Sequence, residues 1–215
     1  LVNGLDVASL GELTVALDAG MDPAEISFAG PGKRPPELAA AIAAGVTINL
    51  ESASELETVA RLGHEQGRQP RVAVRVNPDF ELKASGMKMG GGPKPFGVDA
   101  EQVPALLRRI GELNLDFRGV HIFTGSQNLR HEALIDAHDR TFELALRLAA
   151  DAPAPVQLLN IGGGFGIPYF PGEKPLDLEP IADNLQRWLP VVNERLPEAQ
   201  IVLELGRYLV GEAGI

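Results

Sequence analysis

Short apolar runs of strand length alternate with amphipathic helical stretches along the whole chain, and this alternation narrows the fold more than any other feature. The pattern predicts strands at 5–8, 26–29, 47–50, 71–76, 118–123, 156–161 and 201–205. Between them, residues 9–19 set Leu10, Leu13, Ala16 and Leu17 on one face, and Pro35-Pro36 precedes a helix over 37–44. Ser52-Ala53-Ser54-Glu55 is a capping-box pattern that turns Leu56, Val59, Ala60 and Gly63 inward. Asp99 is expected to cap a helix through Leu106, Leu107 and Ile110. Residues 133–150 carry helical spacing, and Asp177 opens a last helix that Pro190 should kink or end. Strand and helix in such succession make a parallel sheet with crossover helices. Seven units exceed the usual doubly wound sheet and approach the eight of a barrel. Polar residues cluster just after the strands: Asp6 and Ser9, Gly30 to Lys33, Glu51-Ser52, Asn77 to Asp79, Gly125-Ser126-Gln127, Gly162 to Gly164 and Glu204 to Arg207. A doubly wound sheet would spread these over two crevices, whereas a barrel gathers them on one rim. The expected fold is therefore α/β, a TIM-type (β/α)8 barrel.

At 215 residues with 45% hydrophobic content, the chain can bury one substantial core. A net charge of -10 speaks against nucleic acid as a partner, because phosphates need Lys and Arg. Zero Cys excludes disulfides, thiol catalysis and thiolate metal sites, and it fits a reducing, cytoplasmic setting. No metal-ligand pattern is assigned. No apolar run approaches the roughly 18 residues of a membrane helix. The opening Leu1-Val2-Asn3-Gly4 carries neither an initiator Met nor a signal pattern, as expected of a piece cut from something longer.

Chemistry concentrates at three strand ends. Leu158 to Ile161 runs into Gly162-Gly163-Gly164, which lets the backbone turn sharply and bring N–H groups to an anion such as phosphate. A plain strand-end turn would look the same, and the Rossmann fingerprint does not match, since Ile167 and Pro168 follow. His121 to Phe123 leads into Gly125-Ser126-Gln127, whose hydroxyl suits a phosphate oxygen, although such residues also make ordinary turns. Strand alternation points His121 and Phe123 the same way, and a lone strand His is commonly a hydrogen-bonded core residue. Glu204-Leu205-Gly206-Arg207 ends the last strand with a carboxylate and a guanidinium, either a rim ion pair or two groups with separate tasks. Two loops stand out. Residues 77–97 carry Gly86, Gly90, Gly91, Gly92 and Gly97 with Lys83, Lys88 and Lys94, and are expected to be poorly ordered without ligand. Residues 167–175 hold three prolines and Tyr169.

These stretches carry a family resemblance. Gly4 to Leu13, Asn49-Leu50-Glu51-Ser52, Arg75-Val76-Asn77-Pro78, Phe96-Gly97, His121 to Gln127, Gly162 to Gly164 and Glu204 to Arg207 resemble, in order, the barrel domain of the fold-type III pyridoxal-phosphate decarboxylases of ornithine, arginine and diaminopimelate. The wording of residues 80–97 and 122–129 is most similar to the diaminopimelate-decarboxylase-like branch associated with exosortase A systems. The resemblance implies an alanine racemase-like barrel of about seven units spanning residues 1–215, with the first strand missing. It also implies a pyridoxal 5'-phosphate cofactor, an amino-acid substrate and a homodimeric whole protein.

Residue by residue, the resemblance implies phosphate contacts from Ser126, Gly162, Gly163, Gly164 and Arg207. Glu204 would pair with the pyridine nitrogen and Arg75 would approach the ring. Phe123 stands where the family motif usually has a ring-stacking His; it can still stack, but it cannot donate a hydrogen bond or carry charge. Leu205 replaces a Pro of the motif. A racemase of this fold usually places an arginine opposite the nitrogen, so Glu204 favours decarboxylation. The family's cofactor-linking lysine would lie upstream of Leu1, since Lys33, Lys83, Lys88, Lys94 and Lys174 all fall in expected loops. The family's C-terminal β-domain, with its Cys or Asp and its Tyr, would lie downstream. This chain alone is expected to bind the cofactor weakly and to decarboxylate nothing. A non-catalytic regulatory homologue, a racemase and a sugar-phosphate barrel enzyme remain the alternatives.

Overall fold

The computed structural model describes residues 2–80, 87–88 and 95–213. Much of the glycine-rich 77–97 loop, and with it the expectation about its order, lies outside these residues. In chain order the strands are β1 (Leu5–Val7), β2 (Ile26–Phe28), β3 (Thr47–Leu50), β4 (Arg71–Asn77), β5 (Met87–Lys88), β6 (Val98–Asp99), β7 (Asp116–Ile122), β8 (Gly125–Ser126), β9 (Leu158–Gly163) and β10 (Gln200–Glu204). The helices are α1 (Leu10–Asp18), α2 (Pro35–Ala44), α3 (Ala53–Gln66), α4 (Val103–Glu112), α5 (His131–Ala149), α6 (Glu179–Arg195) and α7 (Gly206–Val210).

Seven strands form a parallel sheet in the order β1-β2-β3-β4-β7-β9-β10, with β6 pairing beside β4. The sheet curls into a nearly closed barrel, and β1 and β10 end it, each paired on one side among the described residues. The two-residue strands β5 and β8 pair antiparallel outside the barrel.

Period-two alternation separates two interiors. Val72, Val74 and Val76 of β4, Ile48 and Leu50 of β3 and Leu159 and Ile161 of β9 join helix residues such as Leu56, Val59, Leu107 and Phe142 in one apolar cluster. The alternate residues Asn49, Arg75, His121 and Asn160 are buried too, but polar, and the ladder sets Arg75 beside His121 and His121 beside Asn160. Helices thus cover an apolar outer face, while the barrel lumen is small and hydrophilic. Gly119 belongs to that packing: a Cβ there would lie 1.8 Å from the Leu158 carbonyl oxygen, so only a bare backbone lets β7 approach β9.

Helix ends follow their sequence signals with some differences. Ser9 and Ser52 cap α1 and α3 by accepting from the N–H groups of Glu12 and Glu55, each at 3.2 Å. The Glu55 carboxylate reaches back to the N–H of Glu51 rather than Ser52, and Ala60 is half-buried where the pattern turned it inward. Asp99 does not cap α4: it pairs in β6 and takes the Asn77 amide, while Gln102 holds the cap position. Pro190 does not end α6, which continues to Arg195. Gln186, which loses its helical donor to the proline, is solvent-exposed, so water can satisfy its carbonyl. Among the described residues, no helix is long and apolar enough to cross a membrane.

Helix α5 buries His138 with no hydrogen-bond partner for either ring nitrogen among the described residues, its ring centroid 6.2 Å from that of Phe165. Desolvation pulls its pKa from 6.5 down to about 4, against a smaller opposing effect of Asp139. Because the folded state binds fewer protons than the unfolded chain between those values, stability falls as pH drops through 6.5 toward 4, by roughly 3 kcal/mol at the limit. Urea unfolding at pH 7 and pH 5 should therefore show a loss for the native chain that exceeds the loss for His138→Leu by about 2 kcal/mol. Equal losses in both proteins would show that His138 titrates normally.

Candidate active site

Glu204 ends β10 with its side chain four-fifths buried. His121 Nε2 lies 3.2 Å from Oε2, and Asn160 Nδ2 donates to Oε1 at 2.8 Å. Burial alone would raise the Glu204 pKa, but the imidazole's charge and these hydrogen bonds outweigh it and hold the carboxyl at about 2. Reciprocally, His121 is drawn down by burial yet ends above its ordinary value because Glu204 charges and hydrogen-bonds it. Asp6, on the edge strand β1, hydrogen-bonds Glu204 and Ser27. Desolvation first, and then the Glu204 charge, raise its carboxyl well above the usual range, although β1 keeps solvent access. The pair thus divides into an ionised Glu204 and a readily protonated Asp6.

A second polar cluster lies at the ends of β2, β3 and β4. The Glu51 side chain is 2% exposed and faces Arg75 Nη1 at 3.1 Å and Lys33 Nζ at 3.9 Å. It accepts from the N–H groups of Gly30 and Gly97. Lys33, itself 1% exposed in its side chain, pairs with Glu55 at 3.0 Å, and burial raises the Glu55 carboxyl despite that cation. The Arg75 guanidinium sits 5.0 Å from the Phe96 ring centroid and 6.0 Å from that of Phe123.

The third part is backbone. Gly162 and Gly164 adopt φ of 70° and 87°, left-handed conformations natural to glycine. A Cβ on Gly162 would lie 2.8 Å from a ring carbon of Phe123, and one on Gly163 would lie 1.7 Å from the Glu204 carbonyl oxygen. The loop after β8 braces this segment: Asn128 N–H donates to the Gly164 carbonyl and Gly166 N–H to that of Asn128. Gln127, at a left-handed φ of 55°, bonds both the N–H and the carbonyl of Ile167 and accepts from Arg207 Nη1 at 3.4 Å. Arg207 also lies 5.9 Å from the Tyr169 ring.

The structure thus brings Glu204 together with His121, Arg75 with Phe123, Phe123 with Gly162, and Arg207 with the residue after Ser126. Ser126 follows the C-terminal end of β7, and Gly163 is the last residue of β9, so both lie at the same end of the barrel. The sequence motifs mark none of Asn160, Gln127, Glu55 or Lys33 for the site, and mark Glu55 only as a helix cap. Lys33 is expected in a loop, and its backbone is in one; nothing in the local pattern marks its ammonium as buried. Glu55 carried a signal, since its place in the capping box puts it one turn from Glu51.

The chain matches, over residues 2–211, the family described as pyridoxal-dependent decarboxylase, pyridoxal binding domain. It is 35% identical over 215 residues to the L-glutamyl-[BtrI acyl-carrier protein] decarboxylase of Niallia circulans, covering 99% of this chain and 50% of that one. The same identity and coverage relate it to the diaminopimelate decarboxylase of Aquifex aeolicus. Among solved structures, the diaminopimelate decarboxylase of Helicobacter pylori complexed with L-lysine aligns with a TM-score of 0.81 at 28% identity, covering 94% of this chain and 50% of that one. The chain spans about half the length of these relatives. A match running through almost the whole barrel means that the chain belongs to the pyridoxal-dependent decarboxylase family, whose cofactor is pyridoxal phosphate, and that its barrel is the pyridoxal-binding domain.

Proposed function

We propose that the whole protein is an amino-acid decarboxylase acting as a cytoplasmic homodimer, with this chain as its cofactor-binding barrel. The observation that carries the reading is a largely buried carboxylate, Glu204, held ionised by His121 and Asn160 at the lumen end of β10. The barrel's residues fit the cofactor. Gly162 and Gly163 at the end of β9, with Gly164 after it, present bare backbone against Phe123 and Glu204 that a side chain would fill, and Ser126 and Arg207 stand on the same rim. In this reading that rim holds the phosphate, Phe123 lies against the ring face and Arg75 stands beside it. When bound, pyridoxal phosphate supplies an electron-withdrawing ring that takes up the electron pair left as carbon dioxide departs.

The protein's own part is electrostatic. With the cofactor bound, an ionised Glu204 would accept a hydrogen bond from the ring nitrogen and favour its protonated form, which would maintain the ring's electron demand. His121 and Asn160 fix both carboxylate oxygens, so Glu204 need not reorganise as charge develops. A carboxylate here also supports decarboxylation over racemisation, for which a cation opposite the nitrogen would suit. The reading leaves the cofactor-linking lysine and the C-terminal domain to the remainder of the protein. The substrate class is a free or carrier-bound amino acid, in keeping with the relatives' names.

Replacing Glu204 with Gln in the whole protein should lower turnover about a hundredfold, near 3 kcal/mol of lost transition-state stabilisation. Turnover assayed on a panel of basic and dicarboxylic amino acids would remove Glu204 from the mechanism if it stayed unchanged. Gly163→Ala should cost about 3 kcal/mol of stability, since its methyl meets a backbone carbonyl that cannot swing away. It should also weaken pyridoxal 5'-phosphate binding; a urea midpoint and a cofactor titration both matching the native protein would contradict the packing argument.

A further inference from the structure

We propose that Glu51 is a positioning residue for the cofactor site: it orients Arg75, and through Arg75 the Phe123 ring. The proposal rests on the reading of Arg75 and Phe123 as neighbours of the cofactor ring.

Three observations carry it. First, the Glu51 carboxylate is fixed from several sides. Oε1 faces Arg75 Nη1, the Gly30 N–H and Lys33 Nζ, while Oε2 takes the Gly97 N–H at 3.0 Å. These donors come from β4 and from the segments after β2 and before β6, so one carboxylate ties together three neighbouring strand ends. Second, the backbone closes tightly around Arg75. Gly97 has φ of 76°, and a Cβ on it would lie 2.9 Å from the Arg75 carbonyl oxygen. The N–H that Glu51 grips therefore belongs to a residue pressed against the Arg75 main chain. Third, the guanidinium that Glu51 holds is flanked by Phe96 and Phe123, and Phe123 in turn lies against Gly162. The path from Glu51 to the glycine loop thus has two intermediate side chains, both held by contact.

The charges agree with a positioning task. Lys33 and Arg75 oppose Glu51 and Glu55, two cations against two anions, so the cluster can stay ionised without a net buried charge. Buried ion pairs add little stability over well-packed apolar residues of the same volume. What a carboxylate adds that an apolar side chain cannot is a fixed direction for the guanidinium.

The test is a double-mutant cycle in the whole protein with Glu51→Gln, Arg75→Met and the pair. It is read by pyridoxal 5'-phosphate titration through visible absorption, beside a urea midpoint for each variant. Glu51→Gln should weaken cofactor binding about tenfold in the native background and less than twofold when Arg75 is already Met. Should Glu51→Gln fail to fold, Glu51→Asp takes its place: it keeps the charge, shortens the reach by one methylene and should also weaken binding. Equal losses in both backgrounds would overturn the proposal, because Glu51 would then act independently of Arg75. Cofactor binding unchanged by Glu51→Asp would overturn it as well. An Arg75→Met protein with native affinity would instead remove Arg75 from the cofactor site, sinking the underlying reading together with the proposal.

Discussion

A carboxylate kept ionised inside a protein sets conditions on everything around it. Glu204 lies where burial alone would drive it toward its neutral form, so the lumen must supply donors, and His121 and Asn160 do so from the two strands next in the sheet. Those donors are aligned because β7, β9 and β10 run parallel, with His121 beside Asn160 and Asn160 beside Val202, and a register shift after Val202 then sets Glu204 beside Gly163. The register is in turn fixed from outside, by Val120, Ile122, Leu159 and Ile161 packing beneath the helices. A slip of one residue would send the apolar set into the lumen and the polar set into the helix layer. Hydrophobic patterning on one face therefore determines the chemistry on the other.

Close approach is the second condition. Gly119 and Gly163 each lie where a Cβ would fall within 2 Å of a neighbouring strand's carbonyl oxygen. Gly119 lets β7 meet β9 midway along the barrel, and Gly163 does the same for β9 and β10 beside Glu204. The glycines of the candidate site are thus continuous with those that let the barrel tighten. Gly162 and Gly164 add the left-handed turns that carry the chain from strand to rim.

The architecture was legible in the sequence because it follows from periodicity. All seven barrel strands lie within two residues of their expected starts and ends, since buried parallel strands read as short apolar runs between turn residues. Boundaries failed where local chemistry had a tertiary competitor. Asp99 has a capping side chain, but pairing beside β4 claimed it; Pro190 lacks a donor, but the exposed face of α6 tolerates the loss. Helix α7 is five residues long, too short to carry a helical period. The parts of the candidate site that stand in motifs, Glu204, Phe123, Ser126 and the glycine loop, could be found from order along the chain. Asn160 and Gln127 could not, because their importance lies in the residues they touch across the barrel. Lys33 is the extreme case: a lysine flanked by glycine and arginine reads as surface, and only Glu51 and Glu55 converging from the next strand end explain its burial.

Phe123 links these levels. Beside the Arg75 guanidinium, an imidazole at this position would be pressed toward its neutral form, since a second cation 6 Å away in a poorly hydrated site is costly. A phenyl ring removes that conflict: it carries no charge at any pH and offers its electron-rich face to the guanidinium. The titratable groups that interact in the lumen are instead His121, Glu204 and Asp6. Those three come from β7, β10 and β1, and His121 stands beside Arg75 in the ladder of β4 and β7. The barrel thus holds one cluster whose ion pairs fix side chains and another in which an ionised Glu204 stands beside an Asp6 carboxyl of raised pKa, and the uncharged Phe123 lies against Arg75 of the first and against Gly162.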